Sequence, residues 1–144
     1  MDIAALVTWV VTALGGFYML GTWISRGGVK QQRSGTSRLP VPVVFGHFAL
    51  AAAGLVVWII YLAVDRRALA WTAFGLLVPV ALLGFVMLLR WLPVYRAQAP
   101  ASVAGGAEAP AERHFPVPVV VGHGLFAVVT VVLVLLTALN IGGS

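Results

Sequence analysis

The chain has 144 residues, of which 61% are hydrophobic and only 9% are charged. Soluble domains average about 25% charged residues, so this composition excludes an ordinary water-soluble domain. The sequence contains no cysteine, which excludes disulfides, iron–sulfur clusters, thiolate zinc sites and covalently attached c-type haem.

Four apolar stretches are long enough to cross a membrane, at residues 3–25, 41–64, 68–92 and 117–139. A transmembrane helix needs roughly 20 apolar residues, and Arg90 is the one charged residue inside these stretches. The sequence therefore predicts an all-α, integral membrane four-helix bundle that forms a single membrane domain over residues 1–144. Because only Asp2 precedes the first stretch as a charge, we expect that stretch to remain as a span rather than to be a cleaved signal.

The basic residues are distributed unevenly among the connections. The connections after the first and third stretches carry seven of the nine: Arg26, Lys30, Arg33, Arg38, Arg90, Arg96 and Arg113. The positive-inside rule makes that side cytoplasmic, which predicts an inner-membrane protein with both termini outside. The net charge of +5 is then a topology signal, and we expect the lipid bilayer as a partner and no nucleic acid.

The connection between the third and fourth stretches is rich in alanine, proline and glycine. Its sequence, RAQAPASVAGGAEAPAER, occupies residues 96–113. Such a composition is typical of a flexible connector without a fold of its own, so we predict a flexible loop over 97–113.

The second half of the chain repeats the first. A shift of 76 residues brings PVPVVFGH, from Pro40, onto PVPVVVGH, from Pro116, and a shift of 68 brings GFYMLGTW, from Gly16, onto GFVMLLRW, from Gly84. Repeat one covers residues 3–64 and repeat two covers 68–140. Because each repeat holds two helices, both enter the membrane in the same direction, which predicts a pseudo-two-fold axis along the membrane normal.

The repeat places two histidines, His47 and His123, at one depth, about 10 Å from the basic end at 1.5 Å per residue. Gly16 and Gly84 are expected near the same level, so that the four residues outline a slot for a large flat molecule. Histidine in hydrocarbon is costly and usually functional. Two simpler interpretations stay open: the glycines could serve only helix packing, and each imidazole could only hydrogen-bond a carbonyl of a neighbouring helix.

Two imidazoles that face each other are the ligand set of a b-type haem, which takes one axial ligand on each side of the iron. We therefore predict one haem b per chain, with His47 and His123 as iron ligands and Gly16 and Gly84 beside the macrocycle. Arg38 and His114, which are equivalent positions of the repeat, are expected near the propionates. Zinc needs four ligands and is less suitable, while copper with Met19 and Met87, or a quinone bound through histidine, are alternatives.

On these histidines the chain resembles the b-type cytochrome membrane anchors, such as the four-helix haem subunits of quinone-linked respiratory dehydrogenases. The resemblance lies in the architecture. It implies axial ligation by His47 and His123 and electron transfer between a quinone or a membrane redox complex and a partner. Diheme members need four such histidines, so two allow a single haem.

The sequence lacks the residues that ion-coupled transport or hydrolysis would require. No Asp or Glu lies within a span, which argues against an ion-coupled transporter, and no HExxH helix or Ser–His–Asp set supports a hydrolase. Three hypotheses remain: a single-haem cytochrome that carries electrons or anchors a redox partner; a cofactor-free structural or assembly subunit of a larger membrane complex; and a small channel or metal carrier. The sequence leaves open whether chains associate into a homo-oligomer.

Overall fold

The computed structural model describes residues 1–97 and 109–141, and no β-strand occurs in these two segments. The helices are α1 (Asp2–Ser25), α2 (Gly28–Arg33), α3 (Val41–Val64), α4 (Arg67–Arg96) and α5 (Val117–Ala138), with a short 3₁₀ helix (Ala111–His114) before α5. Four of them, α1, α3, α4 and α5, are long and apolar enough to cross a membrane. The prediction of an all-helical fold with four long apolar helices that could span a membrane is confirmed for these residues.

The four long helices pack as two close pairs, α1 with α5 and α3 with α4, and the pairs join through α4 with α5 and α1 with α3. Helices α3 and α5 therefore stand at opposite corners of the bundle. We refer to the end that contains Ser25, Val41, Arg96 and Val117 as the basic end, and to the other as the terminal end.

Prolines mark where two of the helices start. Pro40 and Pro116 are the residues that precede α3 and α5, and Pro42 and Pro118 lie in the first turn of each. The first four N–H groups of a helix have no partner within it, so proline costs no hydrogen bond there. Helix α4 begins one residue before the predicted span and continues through Pro93 to Arg96.

Buried apolar side chains form two separate clusters along the bundle. The cluster at the terminal end includes Trp9, Trp58 and Leu77, and the cluster at the basic end includes Trp23 and Leu39. Many other large apolar side chains are exposed on the outside of the bundle, as is expected of helices that contact lipid. The space between the two clusters is the level of the predicted histidine site.

The terminal end is tied together by the carboxylate of Asp2. It accepts a hydrogen bond from the Tyr61 hydroxyl at 3.2 Å and another from the Thr137 hydroxyl at 3.0 Å. Its main-chain carbonyl also accepts one from the Trp58 indole at 3.3 Å. One residue of α1 thus connects to both α3 and α5.

The basic end is closed by a second carboxylate, that of Glu112, whose side chain is fully buried. One oxygen accepts the Ser37 hydroxyl at 2.8 Å, and the other accepts the main-chain N–H of Arg38 at 2.6 Å. The Gln31 side chain pairs with the adjacent main chain, donating to the Ala109 carbonyl and accepting from the N–H of Ala111. We call Gln31, Ser37 and Glu112 the basic-end clasp.

Two tryptophans donate hydrogen bonds to residues of this clasp. Trp23 donates its indole N–H to the Ser37 hydroxyl at 3.1 Å, and Trp91 donates to the Glu112 carbonyl at 3.1 Å. Their exposed fractions are 1% and 6%, so neither is the interfacial belt residue that tryptophan near a span end usually is. Gly28 packs against the Trp23 ring and leaves no room for a side chain there.

The clasp includes the end of the segment predicted to be a flexible loop over 97–113. Residues 98–108 lie outside the described part of the chain. Among the described residues of this segment, Ala111 and Glu112 are fully buried in the 3₁₀ helix.

We predict that Glu112→Ala destabilises the protein by about 1–3 kcal/mol, because it leaves the buried Ser37 hydroxyl and Arg38 N–H without their acceptor. Glu112→Gln keeps one acceptor oxygen, so its stability should lie between that of the wild type and that of Glu112→Ala. Thermal unfolding in detergent, followed by tryptophan fluorescence, measures the change.

The matched control is Asp65→Asn, which also removes one negative charge. Asp65 is exposed and has a left-handed φ of 49°, which Asn tolerates, so its midpoint should stay close to that of the wild type. Equal midpoints for Glu112→Ala and Asp65→Asn would contradict a stabilising role of the clasp.

Candidate functional site

The two predicted site histidines meet inside the bundle. His47 projects from α3 and His123 from α5, and their ring centroids are 6.2 Å apart with an angle of 52° between the ring planes. Both side chains are partly buried. The prediction that the imidazoles lie at a shared level and close together agrees with this arrangement.

Each imidazole forms one hydrogen bond to the main chain of the neighbouring helix. The Nδ1 of His123 lies 2.8 Å from the Thr12 carbonyl on α1, and the Nδ1 of His47 lies 2.9 Å from the Val80 carbonyl on α4. A carbonyl oxygen can only accept, so Nδ1 carries the hydrogen in both rings. Within the described segments neither Nε2 has a hydrogen-bond partner, and in this tautomer Nε2 holds a free lone pair.

Glycines make these carbonyls reachable. Gly16 follows Thr12 by four residues, and Gly84 follows Val80 by four. Side chains on a helix lean toward its N-terminus, so the residue at i+4 normally covers the surface over residue i. With no side chain at Gly16 or Gly84, the imidazole edge can approach the carbonyl.

The fit against the glycines is close. A Cβ at Gly16 would lie 3.1 Å from Cε1 of His123, and a Cβ at Gly84 would lie 3.4 Å from Cε1 of His47. The glycines do lie at the level of the histidines, as expected. However, the room that each glycine provides is filled by the edge of an imidazole rather than left as a slot for a flat molecule.

The two hydrogen bonds occupy corresponding positions in the chain. Thr12 and Val80 are 68 residues apart, and His47 and His123 are 76 apart, which are the two shifts that align the sequence with itself. The bonded pairs nevertheless cross between halves of the chain, because His47 bonds α4 and His123 bonds α1.

The other predicted site residues lie away from the imidazoles. The side chain of Arg38 is exposed at the basic end, where its carbonyl accepts a bond from Nη1 of Arg90 at 3.3 Å. His114 is exposed, and its Nδ1 lies 3.3 Å from the Ala111 carbonyl of its own 3₁₀ helix. Among the described residues neither side chain has a hydrogen bond or ring contact with His47 or His123.

The remaining metal-ligand candidates contribute little. Within residues 1–97 and 109–141 no three His, Cys, Asp or Glu side chains form a group that could hold a metal ion. A zinc site, which needs four ligands, has no complete donor set there. Met87, considered as a copper ligand, packs against the cluster at the basic end.

Comparisons with protein-family models, curated proteins and solved structures found no match to this chain. They therefore show no family for this chain, and its function is inferred from the geometry of the site.

We predict that Gly16→Leu displaces the His123 ring and destabilises the bundle by about 1–3 kcal/mol, the usual cost of overpacking. The displaced ring loses its bond to the Thr12 carbonyl, so the Nδ1–H resonance of His123 in histidine-labelled protein should broaden or shift. Thermal unfolding and nitrogen-edited NMR in detergent measure the two effects.

Gly21→Leu is the control on the same helix, because no atom lies within 4 Å of a Cβ built at Gly21. Leucine favours the helix over glycine by up to about 1 kcal/mol, so this variant should be as stable as the wild type or more so. If Gly16→Leu behaved like Gly21→Leu, the close contact between Gly16 and the imidazole would be refuted.

Proposed function

We propose that this protein is a single-haem b-type membrane cytochrome in which His47 and His123 are the two axial ligands. One observation carries the proposal: two imidazoles from opposite corners of an apolar bundle lie with their ring centroids 6.2 Å apart, each held by Nδ1. The protein carries electrons, or anchors a redox partner in the membrane, rather than acting as an enzyme on its own.

The separation of the rings suits a shared metal. If His47 and His123 bound one metal with nitrogen–metal distances of roughly 2.0–2.1 Å, as in zinc–imidazole sites, their ring centroids would lie on the order of 6 Å apart. The donor set is also that of b-type haem, neutral imidazoles with no third protein ligand. Two protein ligands are enough for a metal whose other coordination positions are occupied by a macrocycle.

The main-chain bonds are the support that a ligating histidine usually has. Metal-bound imidazole commonly donates its second N–H to a carbonyl or carboxylate, which fixes the tautomer and the ring orientation and raises ligand basicity. The Thr12 and Val80 carbonyls take that role here. Haem, when bound, would supply one-electron chemistry, while the chain orients the imidazoles between two apolar clusters.

The repeat gives the proposed site its symmetry. The two imidazole bonds fall at the shifts of 68 and 76 residues that relate the two halves, which supports a pseudo-two-fold axis along the membrane normal between the histidines. Such an axis allows one haem per chain. The charge pattern supports an inner membrane with the basic end in the cytoplasm and both termini outside.

The proposed redox partner is a quinone or a larger membrane redox complex, since the described chain has almost no mass outside the bundle. A second candidate is a cofactor-free structural or assembly subunit of such a complex. One observation favours it: the imidazole bonds already tie α3 to α4 and α1 to α5 without any cofactor.

We predict that the full-length protein, expressed with haem supply and purified in detergent, has a low-spin b-type absorption spectrum with one haem per chain. His47→Ala and His123→Ala should each abolish the low-spin spectrum, because each removes one of two axial ligands. The measurement is an oxidised-minus-reduced visible spectrum with pyridine haemochrome quantification.

His114→Ala is the control, since it removes the third histidine of the chain and should keep the wild-type spectrum. A colourless wild-type protein that takes up no added haem, or a spectrum unchanged in both axial variants, would end the cytochrome proposal. A colourless protein that copurifies with a larger membrane complex would instead support the structural subunit.

A further inference from the structure

A cleft opens at the basic end, beside the bundle rather than within it. Its volume is about 460 Å³, and it lies between α4 and the segment that connects α2 to α3. The lining residues are Gln32, Gly35, Ser37, Arg38, Pro40, Leu89, Arg90 and Pro93. A smaller cleft of about 140 Å³ adjoins it, and Arg38 and Pro93 line both.

The cleft has an excess of positive charge. The side chains of Arg38 and Arg90 are exposed, and within residues 1–97 and 109–141 the ion pair is that of the N-terminus with Asp2, at the other end of the bundle. Glu112 lies next to Ser37, but it is fully buried and both of its oxygens already accept hydrogen bonds. One enclosed carboxylate thus opposes two guanidinium groups that open to the cleft.

The rest of the lining is divided between polar and apolar groups. Gln32 adds a hydrogen-bonding group on one side, whereas the Ser37 hydroxyl is already bonded to Glu112 and Trp23. On the other side is Leu89, which is 67% exposed on the outer surface of α4, a helix long and apolar enough to cross a membrane. A ligand that fills this cleft therefore needs a negatively charged head and an apolar part that continues along the lipid face.

We infer that this cleft binds the phosphate group of an anionic phospholipid, held between Arg38 and Arg90, with an acyl chain along Leu89. Guanidinium groups match phosphate oxygens in charge and in the geometry of their paired donors. Basic pockets at the end of membrane helices are suited to anionic head groups, and each nearby basic residue favours them. Free inorganic phosphate has the same head chemistry but gains nothing from the apolar side.

The test is native mass spectrometry of the full-length protein in a zwitterionic detergent, with added phosphatidylglycerol or phosphatidylcholine. We expect phosphatidylglycerol to remain bound and phosphatidylcholine to be released. Arg38→Gln and Arg90→Gln should each weaken phosphatidylglycerol binding by about five-fold, the effect of one basic residue near an anionic head group. Arg38→Gln keeps the hydrogen bond from the main-chain N–H of residue 38 to Glu112, because that bond does not involve the side chain.

The matched control is the double variant Arg33→Gln/Arg96→Gln, compared with Arg38→Gln/Arg90→Gln. All four arginines are exposed at the basic end, but Arg33 and Arg96 do not line either cleft. The control pair removes the same charge and should retain the bound lipid. Equal losses in both double variants would show general charge attraction and overturn the inference, as would equal binding of the two lipids.

A titration with inorganic phosphate alone separates the two sources of the head group. Weak or absent phosphate binding beside retained phosphatidylglycerol supports the lipid, whereas phosphate that binds and displaces the lipid overturns it. Thermal unfolding of each variant identifies any that fail to fold. The wild-type protein prepared without haem supply should bind phosphatidylglycerol as strongly as protein prepared with it, so the outcome does not depend on the haem proposal.

Discussion

The hydrogen bond from an imidazole to a main-chain carbonyl of the next helix is the interaction on which the middle of this bundle depends. Lipid gives helices little hydrophobic reason to associate, so close packing and buried polar bonds have to hold them together. Each bond has a glycine four residues after its acceptor, Gly16 or Gly84, which lets the edge of the imidazole lie close to that helix. Asp2 at the terminal end and Glu112 at the basic end provide comparable polar ties, so the four long helices are fixed at three levels.

The same bond is what makes the pair chemically useful. The bond uses the Nδ1 hydrogen and leaves the Nε2 lone pair of each ring free to bind a metal. A histidine that only tied two helices together would need no contact besides this hydrogen bond. An axial ligand would need the same hydrogen bond to fix its orientation. The structural and the haem-binding interpretations therefore share their contacts, and the uptake of haem, rather than the contacts themselves, separates them.

Sequence reasoning reached the parts of the fold that local patterns encode. Apolar length predicted the spanning helices, and the repeated PVPVV motif predicted that His47 and His123 share a depth. Sequence patterns could not identify the Thr12 and Val80 carbonyls as the hydrogen-bond acceptors of the imidazoles, because every residue has a carbonyl and only packing selects the acceptor. They also placed Glu112 in a flexible loop, since alanine, proline and glycine around it resemble a linker. That carboxylate accepts its hydrogen bonds from Ser37 and the N–H of Arg38, while Trp91 donates to the main-chain carbonyl of Glu112, and all three partners are distant in sequence.

The pairing of helices gives the histidine site a further property. The first half of the chain supplies His47, but the carbonyl that orients it belongs to Val80 of the second half; His123 depends in the same way on Thr12 of the first half. Neither half contains a complete oriented histidine. Both halves must pack together before either imidazole is fixed, and the ring-to-ring distance of 6.2 Å is set by the whole bundle. A change in the packing between α1 and α5 or between α3 and α4 therefore reaches the site through the orientation of one imidazole, even where it touches neither ring.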